Sequence, residues 1–518
     1  MTLTNRCCAT IVPFKRRRSQ LSSCASTTDP TVVREGARPA RLWKRRSADT
    51  SHLMTSTFPR LIVAAPHSGS GKTTVTLGLL LALAKRGLAV QPFKVGPDFI
   101  DPSHHTRICG KPSRNLDSWM SDDPAIHEIF VRAAKEEADI SVIEGVMGLF
   151  DGYGPDNDRG STAHIARELA APVVLVIDAQ RMATSAAAVA LGCRDFDRTL
   201  RIAGVVFNNV GGPGHYDWLR KALEARAGIK ALGYLAFDPV LKLEERHLGL
   251  VPPAERGPDR VFYERLADQF RQHVDVEGIV DAARRSPALN EPSATMFYRR
   301  NAGRPVRIGV AYDGALNFYY QENLDLLSCF GAEIVRFSLL DDETLPSGLH
   351  GIYLGGGFPE MVAATLASRH AMKQSIRSFH RSGGVIYAEC GGLMVLCEAI
   401  VGFDGVRHEM VGLVPAHARM TRDQLSLGYV EVETLQATAL APAGERYRAQ
   451  AFHYSVLENA RFEPVLALHH GSRTSTDGYV NRGLFATYVH AYFAGHPQLA
   501  ANLVDRCRQY AASLATLD

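Results

Sequence analysis

The chain has 518 residues, of which 46% are hydrophobic and 22% charged, so it is long enough to bury more than one core. No apolar run reaches the ~18 residues of a membrane-spanning helix. The first 53 residues carry a net charge of +8, and subtracting this from the total of +4 leaves −4, which excludes nucleic-acid binding based on overall charge. We expect neither a membrane partner nor a nucleic-acid partner.

The basic N-terminal segment is predicted to be an extension covering residues 1–57. It is rich in Ser, Thr and Arg, poor in acids, and lacks a hydrophobic core pattern. An organelle targeting peptide, a basic tail and sequence upstream of a misassigned start are the alternatives. Met54 would be a natural bacterial start, and we favour a misassigned start or plain disorder over a functional segment.

The next feature is a glycine-rich loop between an apolar run, Leu61–Ala65, and a helix rich in Leu and Ala. This strand–loop–helix pattern predicts a phosphate-binding loop, although Pro66 stands where the strict pattern has glycine. Lys72 would place its charge on phosphate oxygens, and Thr73 would offer its hydroxyl to Mg²⁺. The residues predicted to bind the nucleotide here are Ser68, Gly69, Ser70, Gly71, Lys72, Thr73 and Thr74.

Strands and helices then alternate, which predicts an α/β domain over residues 58–285 with a parallel sheet covered on both faces. The predicted strands are Ala89–Lys94, Asp139–Glu144, Val173–Asp178 and Ile202–Phe207, and one predicted helix is Ser185–Gly192. Ligands of such sheets bind beyond the carboxyl ends of the strands.

Four acids follow these strands, namely Asp98, Asp101, Glu144 and Asp151. Because Mg²⁺ takes one or two protein carboxylates, we predict that Asp98 and Glu144 hold it together with Thr73. A helix cap or a solvated loop charge is the alternative for each acid. Asn208 follows the last of these strands, where related ATPases use an Asn amide to read the purine edge, and an ordinary turn is an equal alternative.

A polar segment with Pro287 and Pro292 predicts a linker over 286–304, followed by a second α/β domain over 305–518. Its predicted strands are Val306–Ala311, Gly351–Leu354, Gly384–Ala388 and Gly483–Val489. The fold class that we predict is therefore two doubly wound parallel-sheet domains.

Cys390 lies between an apolar strand and the helix that begins at two glycines, a pattern typical of a nucleophile on a sharp turn. We expect the helix N-terminus to favour the thiolate. His490 follows another strand and is the predicted base, and the amides of Gly356 and Gly357 are predicted to hold an oxyanion. A buried inert cysteine and a packing histidine are the alternatives, which the combination of all three features disfavours.

These motifs together resemble the cobyrinate a,c-diamide synthase family. The resemblance covers nearly everything from Met54 onward. It rests on the phosphate loop, the segments Lys94–Pro102, Glu144–Gly152 and Arg246–Leu250, and the turn at Cys390. It implies a dethiobiotin-synthetase-like ATPase domain, a P-loop NTPase, joined to a class I-like glutamine amidotransferase domain.

The resemblance also implies a carbon–nitrogen ligase that uses ATP, Mg²⁺ and glutamine to amidate the a and c acetates of cobyrinate in cobalamin biosynthesis. It places Phe99, Ile100, Asp101 and Asp151 near the corrinoid polycarboxylate and the reaction at its side chains. Arg246 and His247 are further substrate-binding candidates. The family pattern is compatible with a homodimer. The nine cysteines lack paired metal spacing, which favours a reducing, cytoplasmic location.

Three alternatives are kept. The acceptor could instead be hydrogenobyrinate or a nickel sirohydrochlorin, and a nucleotide-switched P-loop ATPase with a non-catalytic second domain is a separate class. Cobyric acid synthase is disfavoured because its phosphate loop and following motifs differ. Many amidotransferase domains orient the histidine with a Glu two positions later, whereas this chain has His490-Ala491-Tyr492. A dyad, or a third partner from elsewhere in the chain, is therefore expected.

Overall fold

The computed structural model describes residues 55–242, 245–246, 249–250, 260–292, 295–299, 305–422 and 426–515. We call the elements up to residue 290 the first unit and those from residue 306 the second unit. The strands of the first unit are Thr55–Ser56 (β1), Arg60–Ala64 (β2), Val90–Val95 (β3), Arg114–Leu116 (β4), Ile140–Glu144 (β5), Val173–Asp178 (β6), Ile202–Val210 (β7), Ala231–Ala236 (β8), Glu245–Arg246 (β9), Gly249–Leu250 (β10) and Leu289–Asn290 (β11). Its helices are Lys72–Lys85 (α1), Ile100–Cys109 (α2), Asp123–Ala134 (α3), Thr162–Glu168 (α4), Ser185–Phe196 (α5), Pro213–Ala227 (α6), Arg260–His273 (α7) and Val276–Arg284 (α8), with a 3₁₀ turn at Pro239–Leu241.

Within the described residues, the first unit is built on a seven-stranded sheet with the strand order β4-β3-β5-β2-β6-β7-β8. All neighbouring strands are parallel. The central strands are mostly apolar and buried along almost their whole length, as expected for a sheet with helices on both faces. The carboxyl ends of β2, β3 and β5 therefore meet at one edge, where the phosphate loop and the acids at 98, 101 and 144 lie.

The second unit contains more strands than the sequence pattern predicts. Its strands are Val306–Ala311 (β12), Ala332–Phe337 (β13), Gly351–Leu354 (β14), Val385–Glu389 (β15), Cys397–Val401 (β16), Arg407–Glu409 (β17), Val414–Met420 (β18), Ser426–Thr434 (β19), Arg446–His453 (β20), Ser455–Glu458 (β21), Leu466–His470 (β22), Arg473–Asp477 (β23), Tyr479–Asn481 (β24), Leu484–Thr487 (β25) and Val489–Ala491 (β26). Its helices are Gln321–Cys329 (α9), Ala363–Ser368 (α10), His370–Arg381 (α11), Gly391–Leu396 (α12) and Gln498–Ala515 (α13), with 3₁₀ turns at Pro359–Val362 and Phe493–Gly495.

Three sheets organise these strands in the described part of the second unit. The main sheet has the order β13-β12-β14-β15-β25-β24 and is parallel except for the edge strand β24. A four-stranded sheet, β17-β16-β18-β21, and a five-stranded sheet, β23-β22-β19-β20-β26, are mostly antiparallel. The predicted strand 483–489 is thus split, since β25 belongs to the main sheet and β26 pairs with β20.

The two units contact each other directly. Arg114 of β4 pairs with Asp325 and Glu322 of α9, at 2.8 Å and 3.4 Å. Burial raises the pKa of the Glu322 carboxyl to about 7, although the neighbouring Arg114 charge opposes this. The described residues of the segment predicted as a linker, 286–292 and 295–299, include parts that pack on the first unit. The segment contains β11, which pairs with β1, and its Phe297 backbone N–H donates to Glu128 of α3 at 3.0 Å.

The predicted extension, residues 1–57, lies outside the described residues up to position 54. No helix among the described residues is both long and apolar enough to cross a bilayer.

Candidate functional site

The phosphate loop has the backbone geometry that its glycines allow. Gly71, directly before α1, adopts φ 90° and ψ 25°. A Cβ atom there would lie 2.0 Å from Nδ2 of Asn208, which donates to the Ser70 carbonyl at 3.1 Å. Only glycine adopts this positive φ without strain and also leaves room for the Asn208 side chain. Asn208 thus braces the loop from the end of β7.

Lys72 is nearly buried and donates to the carbonyl of Met147 at 2.5 Å. Burial, together with the nearby Lys94 charge, lowers the pKa of the Lys72 ammonium to about 8. An anionic phosphate beside this ammonium would favour its charged form, because an opposite charge offsets the lost hydration. Thr73, the next residue, donates its hydroxyl to Oε1 of Glu144 at 2.6 Å.

Lys94, at the end of β3, is a site residue that the sequence analysis did not select. Its Nζ lies 2.5 Å from Asp101, 3.2 Å from Glu144 and 3.5 Å from Asp98. Burial alone would lower the pKa of Lys94, but the three carboxylates outweigh it and raise that pKa above its ordinary value. The sequence feature that could have indicated Lys94 as a site residue is a charged side chain at the end of a strand that is otherwise buried.

The three acids near Lys94 differ in their surroundings, which shift the pKa values of Glu144 and Asp101 in opposite directions. Burial opposes ionisation of Glu144, but Lys94 and His105, whose Nε2 lies 2.7 Å from Glu144, hold its pKa well below the usual range. Burial and the Asp98 charge raise the pKa of Asp101. Asp98 lies one residue before the N-cap of α2 and accepts from the backbone N–H of Ile100, the first residue of that helix, at 2.8 Å.

A cavity of about 1560 Å³ extends from this cluster to the second unit. From the predicted site, it is lined by Ser68, Gly69, Gly71, Lys72, Thr73, Thr74, Asp98, Phe99, Ile100, Asp101, Glu144 and Asn208. Its far wall includes Tyr429, Gln450 and Phe452 of the second unit. Gln450 and Phe452 share one face of β20, because side chains two apart in a strand point the same way.

Other predicted residues lie elsewhere. Ser70, within the loop, is buried and donates its hydroxyl to the His67 carbonyl at 2.9 Å. Asp151 is exposed and accepts from the Gly148 N–H at 2.8 Å, closing a turn next to the cavity. Arg246 lies in the short strand β9, opposite Gly249 in β10. His247 lies outside the described residues.

Cys390 occupies the sharp turn that its sequence context predicts. It joins β15 to α12 with φ 47° and ψ −104°, a left-handed backbone that is strained for any residue other than glycine. Its Sγ donates to the Phe452 carbonyl at 3.5 Å. Burial, followed by the Glu360 charge, raises the pKa of the thiol, against the backbone N–H of Gly391, which lowers it. The expected thiolate preference is therefore not present in this arrangement, because burial outweighs the helix N-terminus.

His490 lies in β26 opposite Gln450 and is fully buried. Its imidazole Nδ1 is 3.8 Å from Oε2 of Glu389. A Cβ atom at Gly356 would lie 2.5 Å from Cε1 of His490, so the predicted oxyanion segment approaches the imidazole closely. The Gly356 N–H donates to the Phe318 carbonyl at 3.3 Å.

Gly357 adopts φ 153°, and a Cβ atom there would lie 2.1 Å from the Ala315 carbonyl oxygen. The N–H of Gly391, which faces the thiol, is a donor that the sequence analysis did not select. The backbone N–H of the residue after a nucleophile is a usual oxyanion donor, so the position of Gly391 directly after Cys390 could have predicted this role.

Phe99 connects the two centres. It follows β3 in the first unit, and its ring lies 5.2 Å from that of Phe318, 4.5 Å from that of Tyr320 and 5.0 Å from that of His490. Nearby, Gln450 donates to the Pro97 carbonyl at 2.7 Å. The short segment between β3 and α2 therefore carries one carboxylate, Asp98, to the cavity at the phosphate loop and an aromatic ring, Phe99, to His490.

Comparison with known proteins gives matches to both units. A profile of the CobQ/CobB/MinD/ParA nucleotide binding domain matches residues 61–251, and one of the CobB/CobQ-like glutamine amidotransferase domain matches 307–498. Cobyrinate a,c-diamide synthase of a Dehalococcoides mccartyi strain is 41% identical, with 86% of this chain and 98% of that protein covered. The enzyme of the same name from Syntrophotalea carbinolica is 43% identical, covering 87% and 99%.

A third relative of that name, from Salmonella typhimurium, is 40% identical, with 88% of this chain and all of that protein covered. These matches confirm the predicted pairing of a nucleotide-binding domain with a glutamine amidotransferase domain and the predicted α/β fold class. Because relatives at this identity match over nearly their whole length, the chain belongs to the cobyrinate a,c-diamide synthase family.

Proposed function

We propose that the protein uses ATP and glutamine to amidate the a and c acetate carboxylates of cobyrinate in cobalamin biosynthesis. One observation carries this proposal beyond family membership. The cavity at the phosphate loop is bounded on its far side by Phe452, whose carbonyl contacts the Cys390 thiol. This contact supports an arrangement in which the amide-forming centre and the ammonia-releasing centre lie on opposite sides of Phe452.

At the phosphate loop, the proposed step is attack of a substrate carboxylate on the γ-phosphate of ATP, which gives an acyl phosphate and ADP. Lys72 offsets negative charge on the phosphate, and the loop amides orient it for in-line transfer. Lys94 lines the cavity next to three acids. We therefore propose that its ammonium neutralises negative charge on the acceptor carboxylate or on the transferred phosphoryl group. Ammonia then displaces phosphate from the acyl group and leaves the amide.

The oxygen ligands around Lys94 fit Mg²⁺. The Thr73 hydroxyl and the carboxylates of Asp98, Asp101 and Glu144 all line the cavity next to the loop, and hard cations prefer such oxygens. We propose that Thr73, Asp98 and Glu144 hold the ion, with Asp101 exchanging between it and Lys94. Bound there, Mg²⁺ would neutralise charge on the phosphates during transfer.

At the second centre, Cys390 is the proposed nucleophile. His490 takes the thiol proton, the thiolate attacks the carboxamide carbon of glutamine, and His490 returns the proton to the departing ammonia. Water then frees glutamate from the thioester. We assign the oxyanion to the backbone N–H groups of Gly357 and Gly391, with Gly356 joining them if its bond to Phe318 opens.

For the chain as a whole, we propose an amide-forming ATPase domain over 58–285, a linker over 286–304 and a glutaminase domain over 305–518. ATP, glutamine and a corrinoid polycarboxylate are the proposed small-molecule partners. The cytoplasm is the proposed location, because ATP and glutamine are supplied there. Asp151, Arg246 and His247 stay proposed contacts to the corrinoid.

The proposal is tested by incubating the purified full chain with Mg-ATP, glutamine and either cobyrinate or hydrogenobyrinate. Replacing OH by NH₂ lowers the product mass by about one unit per carboxyl, so we expect two sequential one-unit losses on the true acceptor. A nickel sirohydrochlorin reaction runs in parallel. ATP hydrolysis without any mass change on all three acceptors would contradict the proposal and favour the nucleotide-switch alternative.

Phe99 supplies a test of the coupling between the centres. Phe99→Leu removes the ring that contacts His490, so ammonia should escape at the interface before it reaches the acyl phosphate. We expect the ratio of glutamate released to amide formed to rise severalfold above the native ratio, measured by amino-acid analysis and product mass. Phe150→Leu is the matched control, because that ring packs on Phe196 away from His490. An unchanged ratio in Phe99→Leu would contradict the coupling role.

A further inference from the structure

His490 has no orienting partner next to it in the sequence and no hydrogen-bonded partner among the described residues. Both its ring nitrogens are buried without a bonded atom. An imidazole that takes up a proton in such a place needs a nearby anion, because an uncompensated buried charge is costly. The usual position for that anion, two residues later, is occupied here by Tyr492.

Glu389 is the carboxylate that approaches the imidazole, with Oε2 at 3.8 Å from Nδ1. It is the last residue of β15 and directly precedes Cys390. The strand register pairs Glu389 with Thr487 of β25, and His490 follows Thr487 by three residues. The sheet therefore brings the residue before the nucleophile next to the base, although the two are far apart in the chain.

The Glu389 carboxylate is held rigidly by donors on both oxygens. Oε1 accepts from the Ala491 N–H at 3.0 Å and from the Tyr387 hydroxyl, and Oε2 accepts from the Tyr353 hydroxyl at 2.8 Å. Because Ala491 directly follows His490, one of these bonds fixes the strand that carries the base. Asp477, a second acid in this region, accepts from Thr487 and from the Tyr488 N–H instead.

We propose that Glu389 is the positioning residue of the glutaminase centre, in place of the carboxylate that many related domains carry two residues after the histidine. This proposal rests on the assignment of Cys390 and His490 above. Nδ1 of His490 faces Glu389, so Nε2 takes the thiol proton and later returns it to ammonia. The Glu389 carboxylate stabilises the imidazolium that forms during proton transfer.

The separation of 3.8 Å exceeds the ~3 Å of an N–H···O hydrogen bond, and catalytic contacts often tighten only when substrate is bound. Glutamine in the site would be the event that brings the imidazole and the carboxylate together. The tyrosine hydroxyls hold Glu389 in place while this happens.

The test is glutamine hydrolysis by the full chain carrying Glu389→Gln, without any corrinoid. The substitution keeps the shape and removes the charge, so we expect kcat to fall about 100-fold with little change in KM for glutamine. Synthesis from high ammonia should persist. Glu398→Gln is the matched control, because Glu398 also faces a histidine of the second unit, His417, at 3.4 Å, and its kcat should stay native.

A double-mutant cycle separates positioning from a general effect on the fold. In a His490→Ala background, Glu389→Gln should cause no further loss, because Glu389 acts only through that imidazole. Additive losses, or an equal fall in ammonia-dependent synthesis, would overturn the proposal. If Glu389→Gln unfolds, Tyr353→Phe tests the same idea by removing one donor to Oε2, and a native kcat in that variant would overturn it.

These outcomes are independent of the corrinoid reaction. Failure of the native protein to amidate any ring would contradict the proposed function, whereas glutamine hydrolysis would still report on Glu389. Conversely, native amidation with no loss of kcat in Glu389→Gln would overturn only the positioning role.

Discussion

Cys390→Ser is expected to abolish glutamine-dependent amidation while leaving ammonia-dependent amidation within about twofold of native. The serine hydroxyl is a far weaker nucleophile than the thiol that it replaces. We expect a loss of about 1000-fold or more in the glutamine reaction, because removing a nucleophile leaves only binding and the oxyanion donors. Product mass with each nitrogen source measures both activities.

The control for that substitution is Cys193→Ser, which removes a half-buried thiol in the first unit, far along the chain from the proposed nucleophile. It should leave both reactions native. Loss of both reactions in a well-folded Cys390→Ser protein would contradict the division of labour between the units. Thermal unfolding of the variants identifies any that are misfolded.

Lys72→Ala is expected to remove amidation with either nitrogen source. The ammonium is the charge that the phosphate loop places next to the phosphates, and loss of one such group costs about 100- to 1000-fold in rate. Extra ammonia does not help, because the acyl phosphate no longer forms. Glutamine hydrolysis by Cys390 should continue, and release of glutamate measures it.

Lys85→Ala is the matched control, since Lys85 is exposed at the other end of the same helix. Its removal changes the net charge equally but leaves the phosphate loop intact, so amidation should stay native. Ammonia-dependent synthesis that survives in Lys72→Ala would refute the role assigned to the loop.

Much of the local structure was predictable. The strands at Val173–Asp178, Val306–Ala311 and Gly351–Leu354 have the predicted bounds, because each is an apolar run buried on both faces of a parallel sheet. The phosphate loop and the turn at Cys390 were also found from glycines at fixed offsets from a strand end. Both signals depend only on near neighbours in the chain.

The two mostly antiparallel sheets between Cys397 and Ala491 were not predicted. Their strands mix buried and exposed positions, as in the alternating β18, and their pairings join distant segments. Such pairing is decided by which faces become buried in the folded unit, so a single-chain pattern does not reveal it. His490 belongs to one of these strands, although the histidine itself was predicted.

The sequence by itself determined the family, the two kinds of chemistry and the residues Lys72, Thr73, Cys390 and His490 as candidates. These follow from short motifs whose residue types and spacing match a backbone turn beside a strand. Only the tertiary structure decided which groups meet across the fold. Lys94 among three acids, Phe99 against His490, and Glu389 beside the same imidazole all depend on strand order and on packing between the units. Distances of that kind are fixed by burial of distant segments against each other, which local spacing does not encode.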